Sequence, residues 1–134
     1  MELLFSLNLI LISLDFIVTS IAGIFFPRIG IRLYKKMLGV SIPESEEYFT
    51  ILKPWSSLGL FVGFVVLLPL FDPYRYREII FATLFLLLFR AYLRFMYFRG
   101  ANAYFKLQWG RNLFHIGLIF LSSAILIIQL IFMR

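Results

Sequence analysis

Residues 78–98 read EIIFATLFLLLFRAYLRFMYF, an apolar run that carries charge only at Glu78, Arg90 and Arg94. At 1.5 Å rise per residue a helix of this length crosses roughly the 30 Å hydrocarbon core of a bilayer. Two arginines one turn apart inside it then need something to face. Three further runs of the same character surround this one: Leu3–Phe26, Ile51–Phe71 and Leu113–Met133. The 134-residue chain is 62% hydrophobic with a mean hydropathy of +0.94, well above the roughly 45–50% apolar share of soluble domains. The runs are continuous rather than alternating with period two, which disfavours a β-barrel. The expectation is an all-α integral membrane four-helix bundle, one transmembrane domain over residues 1–134, with helices at about 3–26, 51–71, 78–98 and 113–133.

The connections carry the remaining signals. Ser20 and Ala22 before Gly23 imitate a signal-peptide cleavage site, but Glu2 stands where a basic start belongs and Asn8 and Asp15 interrupt the apolar stretch. That first run is therefore kept as a spanning helix, closed by Pro27. Beyond it Arg28, Arg32, Lys35 and Lys36 share one face of a stretch over about 28–39, which predicts a short interfacial amphipathic helix between helices 1 and 2. Gly30 and Gly39 weaken it, and a solvated basic loop is the bland alternative. Pro43 suits a first helical turn, and Glu44, Glu46 and Glu47 suit its dipole. Pro54 is expected to bend the start of helix 2, with Trp55, Tyr104 and Trp109 as interface anchors. Ser56, Gly59 and Gly63 on helix 2 form a small-residue face that lets another helix approach closely, inside the bundle or in a dimer.

Charge sets the expected orientation. Arg28, Arg32, Lys35, Lys36, Lys53, Arg99, Lys106 and Arg111 fall on one side of a four-pass topology, against Arg75, Arg77 and Arg134 on the other. The heavier side belongs in the cytoplasm, leaving both termini outside. The net charge of +6 is accounted for by basic loops facing anionic headgroups, so no nucleic-acid partner is expected.

Each of three helices also carries one polar stripe. Asn8, Asp15, Thr19 and Ala22 share a face of helix 1; Thr83, Arg90, Arg94 and Tyr97 a face of helix 3; His115, Ser122 and Gln129 a face of helix 4. Lipid penalises such faces, so the stripes are expected to meet in the interior as a buried polar network. By depth, Asp15 pairs with Arg90 near the bilayer centre, in an ion pair that on its own does no more than fix helix order. Arg94 meets His115, Asn112 or the headgroups, and Asn8 meets Gln129. A lone His115 in a chain without cysteine predicts no metal and no cofactor. Ser122 and Ser123 stand too far along the helix from His115 for proton transfer, so no catalytic residue is assigned.

Gly23 and Pro27 at the end of helix 1, Pro54, Trp55 and Gly59 at the start of helix 2, and Arg90 with Arg94 on helix 3 together resemble the DoxX-like group of small four-helix membrane proteins. The resemblance implies a bundle in a cytoplasmic membrane, often of unassigned activity, with some members associated with quinone-linked sulfur oxidation. This chain departs from the last point: no quinone site is recognisable, and its loops lack cysteine for thiol chemistry. Small multidrug exporters also place an acid in helix 1, but Arg90 here would neutralise a cation-binding carboxylate.

The expected function is a non-enzymatic intramembrane binding bundle for a lipid-like or anionic small molecule around Asp15, Arg90, Arg94 and His115. The alternative is an accessory subunit that joins a homo-oligomer or larger membrane complex through Gly59 and Gly63.

Overall fold

The computed structural model describes residues 2–38, 41, 43–96, 98–100 and 108–132, without the side chains of Tyr34, Met37 and Leu38. Gly39, Tyr97, Tyr104, Lys106, Met133 and Arg134 lie outside the described residues. The described chain is helical with no strand: α1 is Glu2–Phe25, α2 Pro27–Leu38, α3 Glu46–Leu67, α4 Arg77–Met96 and α5 Trp109–Phe132. A single 3-10 turn, Leu68–Leu70, extends α3. Of these helices α1, α3 with its 3-10 turn, α4 and α5 are each long and apolar enough to cross a membrane. Their outer surfaces are what lipid requires and water rejects. Leu4, Leu11 and Val18 on α1, Phe61 and Phe64 on α3, Phe85 and Phe89 on α4, and Phe120 and Leu121 on α5 are all exposed.

Helix ends follow local chemistry rather than hydropathy. The last bond of α1 runs from the Phe26 N–H to the Ala22 carbonyl at 2.9 Å, after which Pro27 has no N–H to continue the ladder. The chain turns there, and α2 lies against the last turn of α1, so tightly that a Cβ on Gly30 would come within 3.3 Å of the Ala22 carbonyl carbon. The start of α3 is at Glu46 rather than at Ile51, because the Ser45 hydroxyl accepts from the Tyr48 N–H at 3.3 Å and Glu46 and Glu47 stand at the positive end of the dipole. Pro43 consequently precedes the helix instead of opening it. Pro54 is accommodated inside α3 without ending it. Between α3 and α4, Asp72 closes the turn by accepting from Arg75 N–H at 3.0 Å through its carboxylate and from Tyr76 N–H at 3.1 Å through its carbonyl. The start of α5 is at Trp109 rather than Leu113, and the Trp109 indole packs edge-on to Phe98 at 4.4 Å.

The helices associate as two pairs. Along α1 and α3 the contact is close because small residues face each other. A Cβ on Gly63 would lie 2.7 Å from Ile17 Cγ1, one on Gly59 2.5 Å from Ser20 Oγ, and one on Gly23 would collide with Ser56 Oγ. The Ser13 hydroxyl donates across the same seam to the Gly63 carbonyl at 2.7 Å. The second pair is α4 with α5, tied by the Asn112 side-chain amide donating to the Arg94 carbonyl at 3.2 Å.

One hydrophobic core joins the pairs, and it occupies only half of the bundle. Phe5, Leu9 and Ile12 from the first half of α1 meet Val66 at the end of α3, Ile80 and Leu87 on α4, and Leu126 and Leu130 near the end of α5. At the opposite end α2 bridges the bundle: its Ile31 is buried, and the Arg111 guanidinium from α5 donates to the Lys36 carbonyl at 3.0 Å and the Lys35 carbonyl at 3.4 Å. A cation on the last carbonyls of a helix also complements its dipole.

Candidate functional site

Asp15 and Arg90 stand one helical turn beyond the core residues Ile12 on α1 and Leu87 on α4, beside Phe16, which packs against that core, and next to the buried Ala91. The Arg90 Nη1 lies 3.8 Å from the Asp15 Oδ2, and the Arg90 guanidinium carbon lies 4.9 Å from the centre of the Phe16 ring. Arg90 is thus held by a carboxylate beside it and an aromatic face beneath it. At 3.8 Å the ion pair is outside hydrogen-bonding range. Among the described residues the Arg90 guanidinium makes no hydrogen bond, which leaves its planar fork of donors open.

The pair is not buried, contrary to the expectation. The Asp15 side chain keeps 44% of its surface exposed and that of Arg90 33%. No charged side chain is buried among the described residues. The reason lies in the packing: α4 packs mainly on α5 and makes few contacts with α1, so the Asp15–Arg90 pair is left at the edge of that contact. Burying it fully would strip both ions of their surroundings, at a cost of several kcal/mol each, for a loose contact.

The interior is instead given to neutral polar groups, each of which donates to a backbone carbonyl. Asn8, 5% exposed, donates to the Ser122 carbonyl at 3.1 Å, linking α1 to α5, rather than pairing with Gln129, which sits half-buried farther along α5. Thr83 and Ser123 turn back onto their own helices, to the Ile79 carbonyl at 2.7 Å and the Ile119 carbonyl at 2.8 Å. The buried serine of α5 is therefore Ser123, while Ser122 of the predicted stripe is half-buried. Arg94 and His115 are both half-buried, and Asn112 engages the main-chain carbonyl of Arg94.

The face of Ser56, Gly59 and Gly63 is filled by α1 of the same chain, so those residues serve the bundle itself. Their counterparts Ser13, Ser20 and Gly23 were not read from the sequence as a packing face, although they repeat at i, i+7 and i+10 and so share one face. On α2 the cations Arg28, Arg32, Lys35 and Lys36 are all exposed, and none forms an ion pair with Glu44, Glu46 or Glu47. No cluster of three His, Cys, Asp or Glu side chains able to hold a metal occurs among the described residues. No family model, characterised protein or solved structure matches this chain, so its function has to be argued from these residues.

Proposed function

We propose that this protein is a small multi-pass membrane protein that binds an anionic, lipid-like molecule at the opening between its two helix pairs, with Arg90 as the anion-binding group. The observation that carries this reading is the state of Arg90: a guanidinium about two-thirds of the way along a spanning helix, partly exposed, with no hydrogen-bond acceptor among the described residues. An arginine at that depth is costly unless an acceptor reaches it, and an amphiphile diffusing in the bilayer can deliver a carboxylate or phosphate there. Asp15 then acts as an internal counter-ion that partly neutralises Arg90 when the opening is empty and competes with the ligand when it is filled. Arg94 and His115, farther toward the α2 end, extend the polar lining.

The same reading places α2 on the membrane surface with its cations toward headgroups, both long loops in the cytoplasm and both termini outside, in a cytoplasmic membrane as the DoxX-like resemblance implies. An accessory-subunit role would have to use a surface other than the glycine face, because α1 already occupies it.

Titration of purified protein with a fluorescent fatty acid tests the binding reading. Arg90→Gln is expected to weaken binding at least tenfold, the worth of about 1.5 kcal/mol or more for a charge-assisted hydrogen bond. Asp15→Asn, which removes the competing anion, is expected to tighten it. Weaker binding in Asp15→Asn, or unchanged binding in Arg90→Gln, would overturn the assignment.

A further inference from the structure

A groove of about 410 Å³ opens where the end of α1, the first turn of α2 and the first turns of α3 converge. Phe25, Phe26 and Phe49 form its apolar wall, and Arg28, Lys53 and Glu46 bring its charges, two positive against one negative. Neither Asp15 nor Arg90 lines it.

We propose that this groove is a binding site for the headgroup of an anionic phospholipid. Position argues for a lipid: α1 and α3 are both spanning helices, and the groove lies at the end of one and the start of the other, where headgroups meet the hydrocarbon edge. Charge argues for an anion. Among the described residues neither Arg28 nor Lys53 forms an ion pair with Glu46 or any other acid, so both the guanidinium and the ammonium are available to a phosphate. The exposed rings of Phe25 and Phe26 provide a surface along which the start of an acyl chain can lie, which free phosphate has no use for. The backbone adds to this. The first intrahelical bond of α2 is from the Gly30 N–H to the Phe26 carbonyl at 2.9 Å, so the N–H groups of the lining residues Arg28 and Ile29 have no helical acceptor. The volume falls within the range of pockets that hold small ligands.

The test is native mass spectrometry of the full chain, purified and equilibrated in detergent micelles carrying phosphatidylcholine with a minor fraction of phosphatidylglycerol. Retention of phosphatidylglycerol is expected to fall about fivefold in Arg28→Gln or Lys53→Gln and about 25-fold in the double variant. Arg32→Gln with Lys36→Gln removes the same charge from α2 at positions that do not line the groove, and is expected to leave retention near wild type. All four substituted side chains are exposed, and circular dichroism checks that each variant is folded. Equal loss in the two double variants would mean diffuse attraction to the whole basic surface and would overturn the site. So would wild-type retention in Arg28→Gln/Lys53→Gln, or displacement of the lipid by inorganic phosphate. Fatty-acid binding that depends on Arg90 is read separately, so either site can fail without the other.

Discussion

Replacing Gly63 by alanine is the sharpest probe of how the first helix pair is built. The new Cβ would stand 2.7 Å from Ile17 Cγ1, and 3.2 Å from both Phe16 Cβ and the Ser13 carbonyl oxygen. Rotating Ile17 relieves the first contact, but the other two involve a Cβ and a backbone atom, so α1 and α3 have to move apart locally. Overpacking of this kind costs about 1–3 kcal/mol. Separation also lengthens the Ser13 hydroxyl bond to the Gly63 carbonyl, and such bonds average about 0.6 kcal/mol in membrane proteins. Against these losses, alanine is a better helix former than glycine by about 1 kcal/mol. The balance is a net loss of up to about 2.5 kcal/mol, against a gain of about 1 kcal/mol where the new Cβ meets nothing. Gly117 on α5 supplies the control: a Cβ there meets nothing within 4 Å, so Gly117→Ala keeps only the propensity gain and should be neutral or stabilising. Both variants can be measured by reversible unfolding with SDS in mixed micelles, followed by far-UV circular dichroism. A double-mutant cycle with Ile17→Ala should show that Gly63→Ala costs less once Cγ1 is gone. If Gly63→Ala is as benign as Gly117→Ala, the close approach of α1 and α3 is wrong.

Three further outcomes follow from the other contacts. Asn8→Leu should destabilise the bundle by about 0.6–1.7 kcal/mol in the same unfolding assay, since it removes the amide that links α1 to the Ser122 carbonyl; no change would mean that this tie contributes nothing. Arg111→Gln should speed hydrogen exchange near the end of α2, where the guanidinium now holds the Lys35 and Lys36 carbonyls, without altering exchange in the middle of α3. A cysteine at Ser41, the first thiol in this chain, should react with a membrane-impermeant maleimide only from the cytoplasmic side, and labelling from outside would invert the proposed orientation.

Much of the fold was legible because lipid imposes a simple demand: four apolar runs of spanning length had to become four helices. Their starts were less legible, because hydropathy is blind to caps. Ser45 begins α3 ahead of the apolar run through one hydroxyl, and Trp109 begins α5 early with a polar first turn. The glycine face of α3 was visible, but its complement was not. Ser13 and Ser20 look like incidental polar atoms in an apolar run until Gly63 and Gly59 are seen against them. The largest gap between expectation and structure concerns the charges. Periodicity places Asp15 and Arg90 on definite faces of their helices, yet how tightly those faces close depends on how far α4 stands from α1, and no spacing along the chain encodes that distance. The neutral groups Asn8, Thr83 and Asn112 took the interior because burying them costs far less than burying a charge and each reaches a main-chain carbonyl, whereas an ion pair sealed at that depth needs closer contact than 3.8 Å.

The central claim is that Arg90 holds an anionic amphiphile within the membrane. Its most direct test is mass spectrometry of what accompanies the protein when it is extracted gently from its native membrane, wild type beside Arg90→Gln. The account predicts a carboxylate- or phosphate-bearing lipid-like species bound to the wild type and missing from a folded Arg90→Gln variant. The same species retained equally by both proteins, or no such species on the wild type, would contradict it.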